Sequence, residues 1–307
     1  GFPAAYAETQ AEYMASGKAT EQEKLVAGCP EYAFNEYLQI GLEQGLVGLA
    51  LFIGWLGLLF YKGIKNKRYA CCGGLMSLAI FAFSSYPLQL PEFWVVLIFL
   101  GVMSVTPDKD EIRENQAESN GHRWGKQIFF MGIAILGIGL FWMQKDHYKA
   151  YQQWNKAQMF YNNKAYEAAL EVYEPLYPLL KHKPEFLFEA AQSLSKTGQY
   201  EKANEYLERA VLLSSDPMLY YVMAKNEQCL GEYRQAEKHL LHAIDILPER
   251  IYPYYLLMNL YTEPSYFQPA KLKMAIDSVL TKKPKVESSA IKEMKEKARS
   301  MLNNTSI

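Results

Sequence analysis

The side chains best suited to chemistry are concentrated in one stretch, Glu31 to Leu49. If a helix runs on from Pro30, whose missing N–H would go unpaired in a first turn anyway, then Glu31, Asn35, Gln39 and Glu43 recur at every fourth residue. That spacing lines two carboxylates and two amides along one side of a helix, drifting slowly round it. The apolar run takes over after Gln44, so the polar stripe descends toward a bilayer surface and ends with a carboxylate at its edge. An ionisable group at membrane depth is costly and by default marks a functional site. A helix solvated up to the headgroups, with Glu43 snorkelling, accounts for the same spacing.

Elsewhere the chemistry is sparse. His147, His182, His239 and His242 fall in or beside the C-terminal half, and His122 lies in a polar loop. His239 and His242 are three apart on one helix with no third ligand in view, and read as surface or groove histidines. Cys29, Cys71, Cys72 and Cys229 have neither disulfide-framework nor zinc-ligand spacing and read as small apolar residues. Cys29 is open to oxidation if it faces out of the cytoplasm. There is no phosphate-cradling glycine loop, no Ser/His/Asp arrangement in short-motif form and no metal cluster. The Lys282–Lys297 stretch mixes charges and has no aromatics, which makes it a solvated helix face and argues against nucleic acid.

The elements that must position these groups follow from a sharp split in a chain of 307 residues with half its residues apolar and a net charge of −1. That length suggests about two domains. Because the chain begins with Gly1 and shows no signal-peptide pattern, it reads as a processed chain or a fragment. Residues 1–39 are expected to be a periplasmic loop segment, with Thr20 and Glu23 forming a capping box. Four apolar runs follow, Gly45–Tyr61, Ala70–Tyr86, Pro91–Val105 and Ile128–Met143. Each is a little short of the roughly 20 residues that span a bilayer, and flanking Trp and Tyr extend them into the interfaces. The first three form a transmembrane region at 40–106, and 127–145 holds the fourth span. Basic residues of short loops stay in the cytoplasm. Lys62, Lys65, Lys67 and Arg68 put the first loop inside, and Lys109, Arg113, Arg123 and Lys126 put the 107–126 loop inside. Both residues 1–39 and residues 146–307 then lie outside, in the periplasm of a Gram-negative cell. The expected fold is all-α: four transmembrane helices followed by a tetratricopeptide-type α-solenoid.

The solenoid is read from a period. Tyr166, Tyr200, Tyr233 and Tyr266 recur at steps of 33 to 34, followed by Ala169, Ala203, Ala236 and Ala270, with Ala157, Ala191 and Ala224 on the preceding helices. Small residues let crossing helices approach, Tyr fills the gap between them, and Gly198 and Gly231 punctuate the turns. This pattern resembles tetratricopeptide repeats. It predicts four helix pairs, at Tyr148–Leu180, Pro184–Leu213, Pro217–Leu247 and Tyr252–Lys282, and a closing helix at Ser288–Leu302. Such arrays present a surface to a protein partner or act as braces.

A second resemblance rests on Asn35, then nine residues, then Gly45-Leu46-Val47-Gly48. This resembles the last periplasmic-loop signature of the O-antigen ligase and O-antigen polymerase (Wzy-like) family, over roughly residues 1–106. The family's His is replaced by Phe34, which cannot move a proton, and Glu31 or Glu36 stands as the substitute. The resemblance implies an integral-membrane glycosyl transferase with no cofactor and no metal. It would move a glycan from undecaprenyl diphosphate to a lipid or glycan acceptor at the inner membrane. Glu31, Asn35 and Glu36 would be catalytic, and Gln39 and Glu43 would bind substrate. It also implies periplasmic arginines that hold the diphosphate, yet the first arginine is Arg68. The chain would then be the C-terminal part of a longer enzyme and inactive alone. The alternative is a membrane-anchored repeat protein that serves as a periplasmic interaction scaffold and is not an enzyme.

Overall fold

The computed structural model describes residues 1–106 and 144–304, with isolated positions between 131 and 142. Every regular element among the described residues is helical. The chain divides into two compact units: Pro3–Pro30 with His147–Ile307, and Glu31–Asp146.

In the second unit, α3 (Glu36–Lys65), α4 (Tyr69–Ser84) and α5 (Pro91–Val105) pack on one another, with a 3-10 turn at Pro87–Gln89 joining the last two. Leu59, Leu75, Leu78, Leu88 and Leu97 are buried where they meet. Close approach of α3 and α4 depends on Gly63, where an added Cβ would stand 2.6 Å from Cys72 Sγ. One helix, α3, is long and apolar enough to cross a membrane; α4 and α5 are shorter apolar helices. The 107–126 loop lies outside the described residues, as does most of the fourth run, Ile128–Met143.

The expected helix starting at Pro30 does not form. Helix α3 begins at Glu36, because Asn35 takes up extended backbone (φ −164°) and caps it: its Oδ1 accepts the Leu38 N–H at 3.0 Å. Asn is among the strongest N-cap residues, since its side chain satisfies an otherwise orphaned helix donor. Glu31 therefore lies outside the helix and off the stripe. Further along, Gly45 has φ 74° and ψ 178°, which breaks the helical path inside α3. Side-chain-bearing residues rarely adopt that conformation, so Glu43 and the apolar run stand on opposite sides of a kink.

The first unit is a stack of helix pairs: α6 (Lys145–Asn162) with α7 (Tyr166–Leu180), α8 (Pro184–Lys196) with α9 (Tyr200–Val211), α10 (Met218–Leu230) with α11 (Tyr233–Ile246), and α12 (Ile251–Leu260) with α13 (Pro269–Thr281). A last helix, α14 (Ser289–Asn304), packs against α13 and α12. Ala157, Ala191 and Ala224 on the first helices, and Ala169, Ala203 and Ala236 on the second, are buried at the crossings. Tyr166, Tyr200 and Tyr233 each open a second helix. The fourth repeat departs from the period. Tyr266 lies in a 3-10 turn, Pro264–Tyr266, and α13 restarts at Pro269, so Ala270 is exposed and Leu272 fills the alanine's place.

Helices α1 (Phe2–Ala15) and α2 (Glu21–Val26), with Thr20 and Glu23 forming the capping box, pair with these repeats. Ala7 and Ala11 are buried against Ile246 and Leu247. Gln10 Nε2 donates to the Ile246 carbonyl at 2.7 Å, Lys285 Nζ to that of Ala27 at 3.1 Å, and Ser215 Oγ to that of Pro30 at 3.2 Å.

Candidate functional site

The polar side chains of the opening motif are engaged in holding the second unit together. Asn35 uses both ends of its amide: while Oδ1 caps α3, Nδ2 donates to the Phe83 carbonyl at 2.9 Å, near the end of α4. Glu36, the first residue of α3, is buried. Its Oε1 accepts the Leu88 N–H at 2.7 Å, and Oε2 accepts from Gln89 Nε2 at 3.4 Å. The carboxylate thus satisfies the Leu88 N–H at the start of the turn between α4 and α5 and also holds the Gln89 side chain. Gln39 is also buried. Its Oε1 accepts the Ala33 N–H at 2.7 Å, and its Nε2 donates to Glu43 Oε1 at 2.6 Å. Tyr37 donates to the Ala79 carbonyl at 3.0 Å. Trp94 Nε1 donates to the Leu88 carbonyl at 2.6 Å, fixing the same turn.

Of the five residues predicted to form the site, the structure brings Gln39 and Glu43 into direct contact and puts Asn35 and Glu36 back to back at the start of α3. Glu31 is left apart, exposed and outside the helix. Phe34 is exposed and meets the ring of Tyr86 edge-on at 5.2 Å, while Tyr32 stacks on Tyr86 at 5.4 Å. Glu31 and Glu43 are the exposed carboxylates here and the groups with freedom to act as bases. Arg68, the first arginine, stands beyond the far end of α3, about 45 Å of helix away at 1.5 Å per residue. Among the described residues no group of three His, Cys, Asp or Glu is placed to hold a metal ion.

Polar clusters that the sequence did not disclose lie in the repeats. Glu237 on α11 accepts from Tyr261 Oη and Tyr266 Oη, each at 2.6 Å, and from Lys271 Nζ at 2.7 Å. Burial pushes this carboxyl up, but the hydrogen bonds from Lys271 and the two tyrosines outweigh it and hold the pKa below the ordinary carboxylate value. The same contacts, with burial first, push Tyr266 up to about 12. Glu189 likewise accepts from Trp154 Nε1 at 2.7 Å and Tyr173 Oη at 2.9 Å, joining α6, α7 and α8. His239 is paired through Nδ1 with buried Glu227 at 2.9 Å, and His242 through Nε2 with Glu8 of α1 at 3.2 Å. A signal for Glu227 was present: a carboxylate three residues after Ala224 on an otherwise buried helix face needs a partner.

Two surface clefts sit on different faces of α10. One, of about 730 Å³, is lined by Gln192, Lys196, Tyr200, Lys225, Asn226 and Glu263. The other, of about 530 Å³, is formed by α9, α10 and α11.

Comparison with known proteins bears on the repeats. The family model for anaphase-promoting complex, cyclosome, subunit 3 matches residues 162–243. A crystal structure of MamA protein is 17% identical over 50% of this chain and 88% of its own, with a TM-score of 0.41. MamA from Desulfovibrio magneticus RS-1 is 19% identical over 52% of this chain and 98% of its own, with a TM-score of 0.40. The Yersinia enterocolitica type III secretion chaperone SycD, in complex with a peptide of the translocator YopD, is 16% identical over 49% of this chain and 92% of its own, with a TM-score of 0.31. A search of curated proteins finds no match. The C-terminal half is a repeat region of tetratricopeptide type. The family match lies wholly within it.

Proposed function

We propose that this chain is a membrane-anchored tetratricopeptide-repeat scaffold that holds a protein partner on the periplasmic face of a bacterial inner membrane. The observation that carries the reading is a contrast in how polar groups are used. In the Glu31–Leu49 motif, Asn35, Glu36 and Gln39 are engaged in tying α3 to its neighbours. In the repeats, two clefts carry exposed charged side chains, Glu201, Glu208 and Glu232 in one and Lys196 and Lys225 in the other. Stacked repeats bury their core between neighbours and leave extended faces free for a partner.

The anchor rests on α3, which has 30 residues and only 17% of its most apolar window buried. Leu46, Val47 and Leu51 stand exposed along it, an apolar face of the kind that a bilayer covers. At about 1.5 Å per residue, α4 and α5 reach roughly 22–24 Å, short of the ~30 Å hydrocarbon core, and Tyr86 and Trp94 suit the interface at their ends. The first unit bears on the number of crossings. Since residues 3–30 pack with the repeats, both lie on the same side of any membrane that the intervening residues cross. An even number of crossings follows, and four satisfies it. Lys62, Lys65, Lys67 and Arg68 at the end of α3 then face the cytoplasm.

The test is complementation of a deletion strain at matched abundance. Removing the repeats (147–304) should abolish complementation, and Glu31→Gln should leave it intact. The reverse pattern would overturn the scaffold reading.

A second reading is transfer of a glycan from undecaprenyl diphosphate to a lipid or glycan acceptor, with Glu31, Asn35 and Glu36 in the catalytic roles and Gln39 and Glu43 on the substrate. The exposed carboxylates of Glu31 and Glu43 favour it. Loss of polymerised or ligated surface glycan in Glu31→Gln and Asn35→Ala would establish it.

A further inference from the structure

Two histidines meet at one end of the first helix pair. His147 stands in the first turn of α6, and His182 lies just past the last residue of α7, in the turn before α8 opens at Pro184. A short connection folds α7 back along α6, which returns the end of the second helix to the start of the first. The two rings stand edge-on with their centroids 6.2 Å apart. His239 and His242 are each paired with a glutamate. Among the described residues neither His147 nor His182 has a carboxylate partner.

The separation suits a shared ion. An ion at about 2.0–2.1 Å from one nitrogen of each ring sits roughly 3.2 Å from each ring centre, so two imidazoles on one ion have centres ~5–6.4 Å apart. The 6.2 Å here falls within that window, at its wide end. His147 is half-buried and His182 exposed, so rotation of either side chain can close the angle at the ion toward tetrahedral. His182 also bonds through its ring to the Leu179 carbonyl, the kind of second contact that orients a ligating imidazole. Burial, then Lys183 and His147, push its pKa down, which favours the neutral ring that ligates. The Lys183 ammonium and the want of a carboxylate disfavour hard cations such as magnesium and calcium. Imidazole nitrogen selects zinc or copper instead.

We propose that His147 and His182 form a two-histidine site for zinc or copper, with water in the remaining positions, and that the ion clasps the start of α6 to the turn after α7. The site goes beyond the scaffold reading and does not depend on it.

The test uses the full chain in detergent, stripped of metal, with zinc, copper and magnesium added separately. Calorimetry should show one zinc or copper ion bound per chain, copper the tighter, and no magnesium. The copper spectrum in electron paramagnetic resonance should carry coupling to two imidazole nitrogens. At about a hundredfold excess over Kd, the thermal midpoint of the repeats should rise by about 5 °C or more. His147→Gln and His182→Gln should each weaken binding about tenfold or more and lose the rise, with their metal-free midpoints unchanged, while His242→Gln keeps both. Absence of zinc and copper binding would overturn the proposal and leave the pair as two neutral rings in edge contact. So would equal affinity in wild type and both variants, which would make the ion adventitious and place it elsewhere. Sedimentation showing that the ion joins two chains, and that either variant keeps them apart, would also overturn it, since the ion would then bridge copies and not the ends of one helix pair.

Discussion

The two units of the molecule use apolar side chains in opposite ways. In the repeats, Tyr173, Phe186, Leu187 and the crossing alanines are fully buried against one another, and the exterior is charged. In the α3–α5 unit only a few leucines meet at the centre, while Leu46 is 81% and Val47 74% exposed. The polar groups are inverted as well: Glu36 and Gln39 are buried in the apolar unit, whereas most carboxylates of the repeats are at the surface. One unit makes its own interior; the other leaves an apolar outer face exposed. Water drives the first, because burying such side chains contributes about 1.5–3 kcal/mol each. In the proposed membrane setting lipid would remove that drive from the second, leaving packing and hydrogen bonds to hold it.

The largest expected effect tests this contrast directly. Phe186 is fully buried with its ring edge-on to Tyr173 at 5.5 Å. Phe186→Ala should lose both transfer and packing terms, about 3–5 kcal/mol, read as a fall in the thermal midpoint of the repeats. Leu97→Ala removes a comparably buried side chain from the apolar unit. In bilayer it should cost clearly less, because only the cavity term remains. Equal losses would break the comparison.

Next comes Glu237, where one carboxylate joins α11, α13 and the turn before it. Glu237→Ala should cost about 2–3 kcal/mol by stranding charge-assisted bonds from Lys271, Tyr261 and Tyr266. The sign with pH follows from its lowered pKa. The stability it contributes is complete above the unfolded carboxylate value of about 4.3 and is lost as pH falls through the lower folded value. Acid titration of thermal stability should show this loss in the wild type and not in Glu237→Ala.

How much could be read in advance also divides between the units. The Tyr period revealed the repeat, and its tyrosines open α7, α9 and α11, because a repeat must reuse the same crossing geometry. It failed at Tyr266, where Pro264 and Pro269 impose a turn and a restart. The fourfold polar spacing of the motif was misleading, because Asn35 competes for the backbone as a cap and starts the helix later. The pairing of residues 3–30 with the repeats was hidden, since it depends on Gln10, Ala7 and Ala11 meeting Ile246 and Leu247 more than two hundred residues away. Nor could the spacing show that Glu36 is engaged with the turn at Leu88.

A smaller effect should come from Gly45→Ala. The backbone there, at φ 74° and ψ 178°, lies in a region open almost only to glycine, and nothing lies within 4 Å of an added Cβ. The cost is thus backbone strain alone, about 1–3 kcal/mol. Relief by straightening α3 would be visible as a changed distance between spin labels at Tyr37 and Leu51. An unchanged distance and unchanged stability would mean the kink is not needed.

The smallest effect is also the sharpest test between the two readings. Asn35→Ala removes the α3 cap and the bond to the Phe83 carbonyl, and a lost cap costs about 1 kcal/mol. If the motif is an architectural tie, the loss appears as modestly faster hydrogen exchange at the start of α3, with complementation intact. Asn35→Asp keeps the capping oxygen and not the donor, so it should recover most of the exchange protection. If Asn35 instead touches a transferring sugar, both variants should fail to complement, although the aspartate has restored the helix start. The two outcomes separate because the cap needs only an acceptor at Oδ1, while every role assigned to a catalytic amide also needs its N–H donors.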